Sequence, residues 1–430
     1  MGPIPGALGE NFTSGGTNKF YRVNHDYIIR ANLLNHFTFG YNQRDIFEAG
    51  PLRISADVSK AIQLRGTTNP TTLQPTQYST EYGTFNRSID TASPSRTFNL
   101  NEQLAWVNGK HNVKFGFQYL LAKYARFDCN GCSGEVGFSN AGTGNPGISA
   151  RNGSSYASFL LGLASGGNFN YSANIEFFFP YYAWFVQDDW KLTSKLTLNL
   201  GLRYEISYSK QESNFQNTNF NPSIPNPGAG NLLGALEFAG EGPGRSGKKR
   251  FQDTRYNGFG PRVGLAYQLT PNTVLRAGSA VYYQAMREDG NADNGVQGFG
   301  GRFNALGDFL STGISFRVNN GLNEFGDLVA RQKPPRTDPT LLNFGTPTYM
   351  TGEAGRAPMF YDWNATVEHS FFSQSVARIS YHANVGVRLL NNRQNFNQLD
   401  PRYWAIYGDL LGRRLDDPQV IATGFVPPYA

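Results

Sequence analysis

Leu196-Thr197-Leu198-Asn199-Leu200-Gly201-Leu202-Arg203-Tyr204-Glu205 decides the fold. Successive side chains of a strand point to opposite faces. Leu196, Leu198, Leu200, Leu202 and Tyr204 therefore share one face, and Thr197, Asn199, Gly201, Arg203 and Glu205 share the other. A helical period would scatter the leucines around the whole surface, so this segment reads as a strand with one greasy and one polar side.

The pattern recurs in pairs around short links. Tyr182 to Leu192 joins that strand through Thr193-Ser194-Lys195. Phe98 to Val107 runs into Asn108-Gly109, a strong hairpin signal, and returns through Val113, Phe115, Phe117, Tyr119 and Leu121. Val263 to Leu269 turns at Thr270-Pro271-Asn272 and returns from Leu275 to Tyr283. Tyr361 to Phe371 and Val376 to Val385 flank Ser373-Gln374, and an early hairpin turns near Leu34-Asn35.

Two features separate these hairpins from a secreted β-sandwich or propeller. The strands approach the roughly 9–11 residues that a tilted membrane strand needs, against about 5–6 for an ordinary one. The links also fall into two sets: tight ones as above, and long ones at 127–180, 207–256 and 284–360. Outer-membrane barrels have short periplasmic turns and long extracellular loops. The expected fold is all-β: an antiparallel outer-membrane β-barrel, or a large part of one. Residues 1–22 are expected as an irregular start or loop and 23–430 as the barrel region.

Composition agrees. Charged residues make up 16% of the 430 residues, below the roughly 25% of soluble domains, while aromatics reach 14% and glycines number 49. The longest greasy run, Phe159-Leu160-Leu161-Gly162-Leu163-Ala164, falls far short of the ~20 residues of a spanning helix. Any crossing must use strands closed by hydrogen bonds. Trp106 and Trp190 lie near tight turns, where an interfacial aromatic girdle belongs. The net charge of +6 is scattered, and the one tight cluster, Lys248-Lys249-Arg250, lies in Gly/Pro-rich sequence. It reads as a solvated loop, not a nucleic-acid patch.

The wording of these segments resembles that of TonB-dependent receptor barrels, most closely the Oar-like branch. The resemblance is carried by Phe185-Val186-Gln187-Asp188-Asp189-Trp190-Lys191-Leu192-Thr193 with Leu196 to Glu205, and by Trp106-Val107-Asn108-Gly109-Lys110-His111-Asn112-Val113-Lys114-Phe115-Gly116. It extends through Ser158-Phe159-Leu160-Leu161-Gly162, Phe259-Gly260-Pro261-Arg262-Val263-Gly264-Leu265-Ala266-Tyr267 and Asn397-Gln398-Leu399-Asp400-Pro401-Arg402-Tyr403. It implies a barrel of about 22 strands, plugged at its N-terminal side, that imports a bulky solute using energy delivered by TonB. The chain carries no recognisable signal peptide, plug or TonB-contacting box. Its C-terminal stretch, Phe425-Val426-Pro427-Pro428-Tyr429-Ala430, differs from the terminal strand such barrels carry. The expectation is an internal piece of a larger receptor, or the product of a broken frame.

No enzyme chemistry emerges. Cys129-Asn130-Gly131-Cys132 follows a strand and enters a Gly-rich loop, so a small loop disulfide is expected ahead of a free or metal-binding pair or a redox site. Gly258 to Gly264 contains Pro261 and continues as a strand, unlike a dinucleotide loop. The histidines His25, His36, His111, His369 and His382 lack metal-site spacing, and no G-x-S-x-G elbow occurs. Adjacent carboxylates such as Asp188-Asp189 face opposite sides of a strand and cannot form an acid/base couple.

No cofactor is expected. The candidate functional residues line the polar face: Lys114, Gln118, Arg203, Glu205, Arg262 and Arg276. Ligand capture is expected from aromatic outer loops such as 169–179. The expected partners are outer-membrane lipid, a bulky solute (an oligosaccharide, a siderophore or similar), and TonB through a plug that this chain does not carry. A non-transporting adhesion barrel is the alternative.

Overall fold

A computed structural model describes residues 12–50, 64–66, 76–85, 89–145, 152–285, 296–305, 312–326, 336–340, 348–372, 375–389, 401–413 and 417–424. Ten long strands carry it: β1 (Thr13–Arg30), β2 (Leu33–Ala49), β3 (Ser95–Asn108), β4 (His111–Asp128), β5 (Asn174–Lys191), β6 (Leu196–Ser207), β7 (Gly258–Thr270), β8 (Thr273–Tyr283), β9 (Met359–Phe371) and β10 (Ser375–Val387). Each pairs antiparallel with the next in sequence order, so the wall is one uninterrupted meander.

Connections alternate strictly. At one end the links are 31–32, 109–110, 192–195, 271–272 and 372–374; at the other they are 50–94, 129–173, 208–257 and 284–358. The first turn lies at Ala31-Asn32, ahead of the expected Leu34-Asn35, and Leu34 and Asn35 belong to β2. In the second hairpin Asn108 pairs with His111, so the turn itself is Gly109-Lys110. Gly109 has φ 58°, which a residue without Cβ adopts at no steric cost. The expected turn at Ser373-Gln374 lies outside the described residues.

The chain also departs from expectation at its start. β1 begins at Thr13 and its first ten residues pair in register with β2, from Thr13 with Ala49 to Arg22 with Gly40. An irregular start therefore does not extend to residue 22. Thr13-Ser14-Gly15-Gly16-Thr17-Asn18 has no greasy face, so alternation could not reveal it; ladder hydrogen bonds to β2 hold it extended.

Among the described residues, no second sheet lies against the apolar face. Trp184, Val186, Leu200, Leu202, Phe259, Val263, Val367 and Ile379 are all exposed, Ile379 at 79%. A water-soluble sandwich would bury such a face. This one is built to meet hydrocarbon, with rings marking its limits. At the tight-turn end, His111 stacks on Trp190 at 5.3 Å and Trp106 is exposed. Towards the other end runs a chain of rings from Tyr119 to Tyr182 (5.0 Å), Tyr182 to Trp184 (6.3 Å), Trp184 to Tyr204 (5.9 Å) and Tyr204 to Phe259 (4.7 Å).

The long connections form a folded cap. A five-stranded sheet takes its strands from three of them, in the order 301–305, 166–171, 135–138, 76–79, 83–85. Beside it lies a core of Leu64, Val136, Phe138, Ala164, Phe169, Tyr171, Phe303, Ala305, Phe316 and Leu322. The Pro-rich stretch at 221–226 belongs to a hairpin of Thr218–Asn226 and Leu232–Phe238. That hairpin is tied to the last long connection through Phe220 N–H to Thr348 O (2.8 Å) and Leu236 N–H to Pro339 O (3.0 Å). A short helix, Ser155–Leu160, is capped by the Ser154 side chain.

Candidate functional site: the polar face of the wall

Because the registers of β3 to β6 run without a shift, facing can be followed from strand to strand. Lys114, Gln118, Arg203, Glu205, Arg262 and Arg276 all fall on the face opposite the exposed leucines. Four neighbouring strands supply the densest part. Arg203 sends Nε to Glu205 Oε1 (2.6 Å) and Nη2 to both Gln118 Oε1 (2.6 Å) and the Tyr181 hydroxyl (2.9 Å). Gln118 Nε2 reaches back to Asn99 Oδ1 at 3.5 Å. Glu205 is 8% exposed, and among the described residues its Oε2 has no hydrogen-bond partner. A buried carboxylate oxygen left open is costly unless water or another donor reaches it.

Arg262 lies over the Tyr282 ring, 5.1 Å from its centroid, a cation–π contact within the polar face. Arg276 and Arg378 both grip Glu368, at 2.7 and 2.6 Å, forming a ladder across β8, β9 and β10. Lys114 stands apart from these clusters, opposite Ala105 and Gln187 nearer the tight turns. The clusters are thus separate: one network holds Gln118, Arg203 and Glu205, while Arg262 and Arg276 each belong to another.

Tyr181, Glu368, Arg378 and two histidine–aspartate pairs were not anticipated. His36 Nδ1 lies 2.6 Å from Asp26 Oδ1 on β1–β2, and His382 Nε2 lies 3.2 Å from Asp362 Oδ2 on β9–β10. Each pair is directly opposite or one rung apart in the register, so extending the alternation into the outer hairpins would have found them. Most of these ion pairs are partly wet, so solvent screening leaves them little net stabilisation. They make a charged, hydrated lining more than a source of stability. Among the described residues no cluster of His, Cys, Asp or Glu could hold a metal ion.

The adjacent aspartates split as strand geometry demands. Asp188 Oδ2 meets His111 Nδ1 at 2.6 Å on the apolar side of the tight-turn rim, and Asp189 accepts from Asn199 at 2.6 Å on the polar side. Cys129 and Cys132 are bonded to each other where β4 leaves the wall, and both are buried.

The stretch 169–179, expected to offer rings to a ligand, does not. Phe169 and Tyr171 lie in the cap core, and Ile175, Phe177 and Phe179 are buried on the polar side of β5 beside Ala122, Tyr124 and Val296. Greasy rings at the cap end of a polar wall are what the folded connections pack against. Glu212 pins this junction: its carboxylate accepts from the backbone N–H groups of Glu176 (3.1 Å), Asn214 (2.8 Å) and Gln216 (2.6 Å). The basic cluster also has a structural part. Lys248 reaches Glu237 at 3.2 Å, and Arg250 lies over the Tyr208 ring at 5.3 Å with Nε on Ser209 O. Burial draws the pKa of Arg250 down from its ordinary value, against the opposing pull of Tyr208 and Tyr256.

Several solved structures are similar in part to this one. They include the outer membrane transporter YddB from Escherichia coli (12% identity, TM-score 0.40, covering 86% of this chain and 37% of that one). Another is BauA, the ferric preacinetobactin receptor from Acinetobacter baumannii (9% identity, TM-score 0.34, covering 88% and 40%). A third is a Pseudomonas aeruginosa FadL homologue (11% identity, TM-score 0.28, covering 86% and 60%). The chain spans less than two thirds of the length of each. No curated protein matches the chain in sequence. A family model for the outer membrane beta barrel domain matches residues 2–423, and the chain belongs to that family and to the bacterial outer membrane.

Proposed function

We propose that this chain forms part of the wall and cap of a TonB-dependent receptor of the Oar-like kind, importing a bulky solute. The observation that carries the reading is the pairing of a polar lining, charged in separate clusters, with a folded cap. The polar face runs from Asp26–His36 on β1–β2 to Glu368–Arg378 on β9–β10, and three of the long connections share a core above it. A lining of that kind stays hydrated, which suits passage of a polar solute, and Lys114, Gln118, Arg203, Glu205, Arg262 and Arg276 are its proposed contacts. The reading is of a conduit with no catalytic step.

β1 and β10 each have one neighbour among the described residues. A strand edge left open in lipid strands a row of backbone groups at several kcal/mol each. On this reading further strands of the same receptor close the barrel, and its plug supplies the contact with TonB. A non-transporting adhesin is the second reading, favoured by the exposed cluster of Tyr82, Tyr156, Phe159, Leu160 and Leu161 on the cap. Uptake of a panel of labelled oligosaccharides and ferric siderophores tests both, comparing cells with the intact gene, with its deletion, and with TonB depleted. Loss of uptake of one solute in both impaired strains is expected. Unchanged uptake with lost adhesion would overturn transport.

A further inference from the structure

The lipid-facing side of the wall ends, towards the cap, in a line of rings followed by a line of cations. Tyr21, Tyr41, Phe98 and Leu121 lie side by side across β1 to β4, with ring distances of 6.1 Å (Tyr21–Tyr41) and 4.8 Å (Tyr41–Phe98). Two residues further along each strand, about 7 Å nearer the cap and on the same face, stand Lys19, Gln43, Arg96 and Lys123. They too are direct partners in the register: Lys19 with Gln43, Gln43 with Arg96, Arg96 with Lys123. This row lies on the cap side of those rings, towards the zone where lipid headgroups begin.

Arg96 directly opposite Lys123 is unfavourable on its own, because like charges across a strand pair repel. No carboxylate among the described residues forms an ion pair with Lys19, Arg96 or Lys123. The nearest acids on this face are Asp45, which accepts from Gln43, and Glu176, which accepts from Ser213 at 3.0 Å. The wall thus sets three cations on one line of the register, which runs obliquely to the membrane because barrel strands tilt by about 35–45°, and no described residue of the chain answers their charge. Elsewhere the same sheet partners its arginines closely, as Arg203, Arg276 and Arg378 are partnered on the polar face.

We propose that the row Lys19–Arg96–Lys123 is a docking line for the phosphate-bearing headgroups of outer-leaflet lipid. Arg96 and Lys123 grip one phosphate between them, and Lys19, across Gln43, takes a second. The stems of all three lie along greasy surface while their charged ends reach the headgroup layer. Arginine suits this role because its forked donors match phosphate oxygens. The aromatic row beneath holds the sugar or glycerol level of the same lipids.

The test uses the full chain, refolded in neutral detergent and checked by heat-modifiable migration. Binding is measured to bisphosphorylated lipid A, to its dephosphorylated form, and to inorganic phosphate. The parent is expected to hold lipid A and to lose most affinity for the dephosphorylated lipid. Substituting Lys19→Gln, Arg96→Gln and Lys123→Gln together is expected to weaken lipid A binding roughly a hundredfold, and Arg96→Gln alone about fivefold. Lys195→Gln, at the short-turn end, is expected to leave it unchanged. The exchange Arg96→Lys with Lys123→Arg keeps both charges and is expected to retain binding, so a neutral variant that fails to fold does not stand as the result. Equal lipid A binding by parent and triple variant overturns the proposal. So does equal binding of the dephosphorylated lipid, and so does inorganic phosphate competing as strongly as the lipid, which would make this a free-phosphate site.

Discussion

The wall and the cap are built from one chain by opposite rules. In the wall, greasy side chains point outward and stay uncovered: Leu202 is 43% exposed and Val263 54%. In the cap, greasy side chains turn inward and vanish: Phe169 is fully buried and Phe316 is 1% exposed. The difference follows from the solvent each meets. Strands in hydrocarbon gain nothing by hiding leucines but must satisfy every backbone group, which the ladder does. Loops in water must bury their apolar side chains against one another, and no single loop is large enough to do so alone. Three connections therefore pool strands into one sheet, and the fourth is tied in by hydrogen bonds.

Substitutions can break that contrast, and the largest effect is expected in the cap. Phe169→Ala empties the centre of its core and should cost about 3–5 kcal/mol of cap stability. Hydrogen exchange should then rise across 76–85, 135–138 and 301–305 while β6 and β7 stay protected. Exposure of β6 at the same rate would mean that wall and cap unfold as one unit. On the wall, Leu202→Arg should cost about 2–4 kcal/mol when stability is measured in lipid vesicles. A value near zero would mean that this face does not meet hydrocarbon.

Smaller effects sharpen the picture. Replacing Cys129 and Cys132 by serine removes a short cross-link at the foot of the cap and should lower its stability by about 2 kcal/mol. Reduction and alkylation of the parent should be needed before both thiols react, and free thiols in unreduced protein would contradict the bond. Least of all, Arg276→Gln should leave stability close to that of the parent, because its partner Glu368 keeps Arg378 and the ladder is wet. A loss of several kcal/mol there would show that water does not reach the polar face.

Much of the wall was legible in the sequence because alternation is local. Leu196 to Glu205 displays its two faces without reference to any other residue, and the unequal links place successive hairpins. The polar residues Arg203 and Glu205 were legible for the same reason, and so was the split of Asp188 from Asp189. What failed was what alternation cannot carry. The first residues of β1 have no greasy side, and Pro180 looked like a loop residue although it is paired with Leu121 inside β5. Tyr181 could not be joined to Arg203, since that contact depends on register between strands.

By itself, then, the sequence determined that this chain makes long two-faced strands with short links at one end and long links at the other. Period-two patterning and turn chemistry are properties of neighbours in the chain, and they survive without a tertiary context. Only the tertiary structure decided that three of the long links share one core, that Phe169, Tyr171, Phe177 and Phe179 are buried, and that Arg96 faces Lys123 on the lipid side. Those facts rest on pairing between residues far apart in sequence, whose spacing is set by hydrogen-bond register and by the burial of side chains from several loops at once.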